Sequence, residues 1–152
     1  PAHTSGDLLA YLPEEQVLFM GDMAFFYVAP WCQHAYPSKW IERLYEIDRM
    51  AVKFIVAGHG PLGGRGRPSI AAYAELLKTE SRRRYDAGMS AGKAAADIRM
   101  GKYDNWIGTE RIVMDTARFY QEFDNALTPE PNAAAIRKAT EEYNAARKAS
   151  GG

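Results

Sequence analysis

Residues 55–61 read Ile-Val-Ala-Gly-His-Gly-Pro, an apolar run that ends in a lone histidine, His59, between two glycines. Glycine permits positive φ and close backbone approach, so the flanking glycines let the imidazole point into a crowded place. A histidine that only packed in a core would need neither glycine, although a hydrogen-bonded core histidine is the alternative interpretation. The run 52–56, Val-Lys-Phe-Ile-Val, is short and mostly apolar or β-branched, which predicts a strand that leads into the turn at His59.

Two further strands are predicted upstream of this stretch. Residues 8–12 and 17–20 are short apolar runs separated by Pro-Glu-Glu-Gln, a pattern that indicates an antiparallel hairpin. Gly21 and Asp22 are expected to end the second strand, since a Gly-Asp pair favours a turn.

Between the hairpin and the third strand we expect a loop and a helix. Residues 23–37 are apolar and aromatic but are interrupted by Pro30 and Pro37, which predicts a long ordered loop. Ser38 is expected to cap the helix that follows. The apolar residues of this helix recur at helical spacing, at Trp40, Ile41, Leu44, Ile47 and Met50.

The rest of the chain is predicted to be helical, over residues 70–87, 91–100, 110–127 and 132–149. The chain therefore divides into an α/β part, residues 1–67, and a helical C-terminal extension, residues 68–152. The last helix has a thin apolar face, so we expect it to dock loosely or to contact a partner.

The composition limits the classes of function. With 152 residues, 47% of them hydrophobic, the chain can bury a sizeable core. Its 19 basic and 19 acidic residues give a net charge of zero, so no overall field attracts nucleic acid or an anionic membrane. No apolar run approaches the ~18 residues of a membrane span. The single cysteine excludes an internal disulfide and a Cys-rich zinc site within the chain.

Three side chains suit a zinc site. His3, Asp22 and His59 each lie near glycine or at a predicted strand boundary, and imidazole and carboxylate are groups that zinc prefers. Each also has an ordinary interpretation: a solvated surface histidine for His3, a turn carboxylate for Asp22 and a core histidine for His59.

The contexts of these residues resemble one family. The segments AHTSGDLLAYLP, VLFMGD and IVAGHGP occur in the order found in the metallo-β-lactamase superfamily, and the resemblance extends from residue 1 to about residue 62. Residues 102–123 are similar to the C-terminal tail of some members. The resemblance implies an αββα fold with a small mixed or antiparallel sheet and a metal site at its edge.

The resemblance also implies roles for the three residues. His3 would bind a first zinc, Asp22 would bridge two zincs and His59 would bind the second, so all three should converge at one side of the sheet. In such a site, zinc lowers the pKa of a bound water to about 7 and provides a hydroxide that attacks an acyl carbonyl. The implied activity is hydrolysis of an ester, thioester or amide bond, including a β-lactam.

One defining motif of the family, His-x-His-x-Asp-His, does not occur in this sequence, whose histidines are His3, His34 and His59. We therefore expect the chain to correspond to the C-terminal half of the domain, to bind zinc weakly and to be inactive alone. Its sheet should lack a cover on one face, which predicts a homo-oligomer or pairing with the missing N-terminal half. A non-catalytic interaction module that binds a protein partner is the alternative.

Other side chains have weaker assignments. Phe25, Phe26 and Trp31 are candidates for a substrate wall, and the alternative is that they seal the core. Cys32 and His34 could form a nucleophilic pair. The alternative is that Cys32 is a buried thiol and His34 a surface imidazole. A basic stretch comprises Lys78, Arg82, Arg83 and Arg84. It could contact phosphate, and the alternative is that it forms a solvated helix face.

Overall fold

The computed structural model describes residues 1–64 and 68–150. Within these residues the chain has an α+β fold, in which a three-stranded sheet is packed by helices. The strands are β1 (Ala10–Leu12), β2 (Val17–Phe25) and β3 (Phe54–His59). The α-helices are α1 (Pro37–Asp48), α2 (Ile70–Asp86), α3 (Ala91–Asp97), α4 (Ile112–Phe123) and α5 (Ala133–Ser150). Two short 3₁₀ helices, Gly101–Asn105 and Thr109–Arg111, precede α4.

The sheet is mixed and has the order β1-β2-β3. β1 and β2 are antiparallel, with Ala10 opposite Phe19, which confirms the predicted hairpin. β2 and β3 are parallel, with Phe19 opposite Val56. The prediction that Gly21 and Asp22 end the second strand is wrong, because Gly21 adopts a φ of 50° at a register shift and the strand continues beyond it.

The segment between β2 and α1 is shorter than predicted, since β2 takes its first three residues. The expected cap at Ser38 is wrong: α1 starts at Pro37, and Tyr36 occupies the N-cap position without a side-chain hydrogen bond. Proline suits the first helical turn because its φ is already fixed and it has no amide hydrogen to satisfy. The Ser38 hydroxyl instead donates a hydrogen bond to Glu122 of α4.

The predicted division between residues 67 and 68 falls partly outside the described residues, because residue 67 is not described. The core includes residues from both sides of this division. Ile55 of β3 and Trp40 of α1 belong to the same buried cluster as Tyr73, Leu77 and Val113 of the helical part. The α/β part and the helical part therefore share one buried core.

The final helix contacts α3 at one close approach. A Cβ at Gly92 of α3 would lie 2.2 Å from the carbonyl oxygen of Ala139, so the absent side chain lets α3 and α5 come into close contact. Ala139 is 3% exposed. Ala139 is the one buried residue of α5, in agreement with the predicted thin apolar face. The expectation of loose docking or a partner contact stays a prediction.

The two faces of the sheet differ. Leu18, Met20 and Ile55 face the helices and are buried. On the opposite face, Leu12, Phe19 and Phe54 are 42–44% exposed. Gly64 lies beside the ring of Phe54, since a Cβ there would be 3.5 Å from it. The strands thus alternate as expected for a sheet packed on one side.

Candidate functional site

Asp22 and His59 meet at the end of the parallel strand pair. Asp22 lies in the second half of β2 and His59 is the last residue of β3, so the parallel pairing brings them to the same end of the sheet. The Nε2 atom of His59 is 3.4 Å from Oδ1 of Asp22. The side chains are 54% and 48% exposed, respectively, so this edge is open to solvent.

The two glycines around His59 are both required by this geometry. A Cβ at Gly58 would lie 2.1 Å from Oδ1 of Asp22, so the carboxylate occupies the place of a side chain. Gly60 has a φ of 99°, and a Cβ there would lie 2.1 Å from the carbonyl oxygen of Phe26. The Phe26 amide also donates to the His59 carbonyl at 3.0 Å. The Gly-His-Gly stretch therefore lets the backbone of β3 pack closely against both Asp22 and the end of β2.

His3 approaches the same edge from the N-terminal segment. Its ring lies 5.4 Å from the ring of Phe25, and the ring of Phe25 stacks on that of His59 at 5.2 Å with an interplanar angle of 10°. Phe25 is therefore the common neighbour of the two histidines. His3 is 7% exposed, in contrast to His59.

The hydrogen bonding of His3 selects one tautomer. Its Nε2 donates to the carbonyl oxygen of Trp31 at 2.9 Å, because a carbonyl can only accept. Its Nδ1 is buried and has no partner among the described residues. Burial lowers the pKa of His3, an effect opposed by the bond to Trp31 and by the charge of Asp22. In the neutral ring, the bond to Trp31 thus places the proton on Nε2 and leaves a buried lone pair on Nδ1.

These positions fit zinc ligation in part. Two ligand atoms about 2.1 Å from a tetrahedral zinc are roughly 3.4 Å apart, which is the separation of the Asp22 and His59 atoms. A histidine ligand commonly donates its second ring N–H to a carbonyl, as His3 does to Trp31. In the portion of the chain that the structure describes, however, no group of three or more His, Cys, Asp or Glu side chains is arranged to hold a metal ion.

The aromatic residues proposed for a substrate wall separate into two kinds. Phe25 and Phe26 are each 1% exposed, so both lie in the buried core. Trp31 is 46% exposed, and the guanidinium of Arg111 lies 5.5 Å from its ring centroid. Of the three, Trp31 is the one that solvent or a ligand reaches.

Two exposed residues near this edge were not identified from the sequence. Tyr27 follows the core phenylalanines with a φ of 62°, which is unusual for an aromatic residue, and is 50% exposed. Its carbonyl accepts from the amide of Ile107 at 3.0 Å, and Ile107 is 71% exposed. The contact between Tyr27 and Ile107 joins residues 80 positions apart, and no local sequence pattern indicates it. The one available signal was the aromatic side chain of Tyr27 itself.

The remaining candidates have structural roles. Burial raises the pKa of the Cys32 thiol well above its ordinary value, so the thiolate is scarce at neutral pH and the pair with His34 is a poor nucleophile. The arginines of the basic stretch are paired with acids: Arg82 with Asp86, Arg83 with Glu80 and Arg84 with Glu80 and Asp97. Their charges are therefore largely compensated within and beside α2.

A comparison with protein-family models finds no match for this chain, and a search of curated proteins finds no relative. Among the helices of residues 1–64 and 68–150, none combines the length and apolar character needed to cross a membrane.

Proposed function

We propose that this chain is the C-terminal half of a zinc-dependent hydrolase of the metallo-β-lactamase fold. The observation that carries the proposal is the Asp22–His59 pair, with its 3.4 Å separation at the open end of two parallel strands. The Asp22 carboxylate lies where a Cβ of Gly58 would be, and a half-exposed polar contact of this kind contributes little stability. Metal ligation would account for the close separation of these two side chains at the sheet edge without a large contribution to folding.

In this proposal His3, Asp22 and His59 would hold the two zincs of the intact domain: His3 would serve one ion, His59 the other, and Asp22 both. Zinc, when bound, supplies an activated water and polarises the scissile carbonyl of an ester, thioester or amide. The residues of this chain orient the ligands: Trp31 holds the proton on Nε2 of His3, and Phe25 packs between the two imidazoles. Trp31 also remains exposed enough to contact an apolar substrate group.

The chain supplies too few ligands for two metals. A zinc site needs three or four, and the three residues would be divided between two ions. The proposal therefore assigns the other ligands to a His-x-His-x-Asp-His segment in the complementary half of the domain. Alone, the chain is expected to retain no stoichiometric zinc and to be inactive.

The half-exposed apolar face of the sheet supports the same arrangement. Leu12, Phe19 and Phe54 form an apolar face of the kind that a second sheet packs on at about 10 Å. In a preparation of this chain alone, a second copy is the available cover, so we propose a homodimer. Light scattering coupled to size-exclusion chromatography tests this, because a concentration-independent mass near the single-chain 17.0 kDa contradicts it.

Zinc binding by the reconstituted domain tests the proposed function. We expect the chain to bind zinc after dialysis, as measured by elemental analysis, only when a separately expressed His-x-His-x-Asp-His half is added. Hydrolysis of β-lactam or thioester reporters should appear in the same mixture. His59→Ala should abolish both, whereas the control His34→Ala should preserve them. Equal zinc content in wild type and His59→Ala contradicts the assignment.

A second candidate function is a non-catalytic module that binds a protein partner, and the half-exposed apolar face favours it as well. The two candidates predict different sensitive residues. Substitution of Phe19 by lysine should abolish partner binding under either proposal. Substitution of His59 should affect the hydrolase alone, since the interaction module has no use for an imidazole at the sheet edge.

A further inference from the structure

Segment 29–38 is joined to α4 by a regular series of hydrogen bonds. The side chains involved lie at or just before α4 with spacings of four, three and four residues, which places them on one face of a helix. They bind every third residue of the segment. The pairs are Arg111 with Ala29, Asp115 with Cys32, Arg118 with Ala35 and Glu122 with Ser38. We call this series the polar ladder.

The central rungs of the polar ladder are deeply buried. Asp115 and Arg118 are each 1% exposed. The Cys32 amide donates to Oδ1 of Asp115 at 3.0 Å, and Nε of Arg118 donates to the Ala35 carbonyl at 2.6 Å. Buried polar groups are costly unless they are bonded, so any displacement of the segment from α4 leaves expensive unpaired groups. The polar ladder therefore fixes the segment with respect to α4.

The opposite side of the same segment holds the N-terminal residues. The Trp31 carbonyl accepts from Nε2 of His3 at 2.9 Å, and the Tyr36 amide donates to the Ala2 carbonyl at 2.8 Å. Trp31 immediately precedes Cys32, whose amide is bound by Asp115. The peptide unit that links Trp31 to Cys32 thus accepts from His3 at its carbonyl end and donates to Asp115 at its amide end.

We infer that the polar ladder positions His3, with Asp115 as a positioning residue that acts through the Trp31–Cys32 peptide. The bond from Asp115 orients this peptide, and the oriented carbonyl keeps the His3 proton on Nε2 and the lone pair on Nδ1. The usefulness of that lone pair for zinc rests on the proposed function. The coupling between α4 and His3 does not depend on it.

The test is the tautomer of His3 in the metal-free chain, measured by long-range ¹H–¹⁵N NMR at a pH where the ring is neutral. Wild type should show one protonated nitrogen and one bare nitrogen. Asp115→Ala should move the two ¹⁵N shifts toward each other, as the tautomers mix. Asp115→Asn should restore the wild-type pattern, because the amide oxygen can still accept from Cys32. Thr116→Val, a substitution at the neighbouring, equally buried position outside the polar ladder, should leave the pattern unchanged.

A folded Asp115→Ala protein with the wild-type His3 spectrum overturns the inference, as does a shift of equal size in Thr116→Val. If Asp115→Ala fails to fold, Arg111→Gln at the half-buried end of the polar ladder replaces it. This variant should shift the His3 ¹⁵N signals in the same direction but by less. An unchanged His3 spectrum again overturns the inference. Zinc titration of the reconstituted domain tests the proposed function separately. If the His3 spectrum changes in Asp115→Ala but the reconstituted domain binds no zinc, the proposed function is contradicted and the positioning role of Asp115 stands.

Discussion

The Asp22–His59 edge and the polar ladder both join distant parts of the chain through polar side chains, but they do so in opposite environments. Asp22 and His59 are half exposed, whereas Asp115 and Arg118 are almost completely buried. Polar contacts in water contribute little to folding, while buried ones are costly to break. The ladder therefore has a clear structural role, and the exposed pair does not, which is why the pair is the better candidate for chemistry.

The sharpest test of the buried side of this comparison is the pH dependence of stability. Burial raises the pKa of Asp115 from its ordinary 3.8 to about 8, against the hydrogen bonds from Cys32 and the charge of Arg111. Between these values the folded chain holds a proton that the unfolded chain has lost, so stability should fall as pH rises from about 4 to 8. The full loss is on the order of 5 kcal/mol.

Asp115→Asn removes this titration, and urea unfolding at several pH values measures the difference between the two proteins. The variant should be similar to wild type near pH 4 and more stable than wild type above pH 8. His3, whose pKa burial lowers, is expected to act in the opposite direction below about pH 6.5 in both proteins and to cancel in the difference. Parallel stability curves for the two proteins would show that Asp115 is ionised in the folded chain.

The second largest effect is expected at Arg118. Its guanidinium donates to the carbonyls of Ala35 and Thr128 and to the side chain of Gln121. Arg118→Met fills much of the same volume but leaves these acceptors unpaired, which should lower the free energy of unfolding by about 3 kcal/mol. Arg137→Met on the exposed face of α5 is the matched control and should change it by less than about 0.5 kcal/mol. Equal effects at the two positions contradict a structural role for the polar ladder.

The sequence predicted the two regions unequally, for a physical reason. The hairpin, His59 and the helices follow from local apolar periodicity and from glycine positions, which are visible in short windows. The rungs of the polar ladder join residues 82–84 positions apart, and no local pattern indicates them. Ser38 shows the consequence: its expected local role as a cap is replaced by a distant bond to Glu122.

An intermediate effect is expected at the glycine beneath the exposed pair. Gly58→Ala places a methyl group 2.1 Å from Oδ1 of Asp22 and 2.8 Å from the carbonyl carbon of Gly21, so β2 and β3 must separate. Such overpacking costs about 1–3 kcal/mol. Gly6→Ala, which meets nothing within 4 Å, is the control. Thermal unfolding measures both, and equal stability of the two variants contradicts the close packing of Asp22 on β3.

The smallest effect is the most informative about function. Asp22→Asn and His59→Gln each remove one charge or ring from a contact that is half exposed, and such contacts contribute roughly 0–1 kcal/mol. We therefore expect both variants to unfold within about 1 kcal/mol of wild type, while zinc binding by the reconstituted domain is lost in both. A stability loss of about 3 kcal/mol in either variant would show that the pair is held for folding, as the polar ladder is, and would remove the main support for a metal site. Near-wild-type stability with lost zinc binding separates the two regions completely, because only the exposed pair would then be dispensable for the fold and required for the ligand.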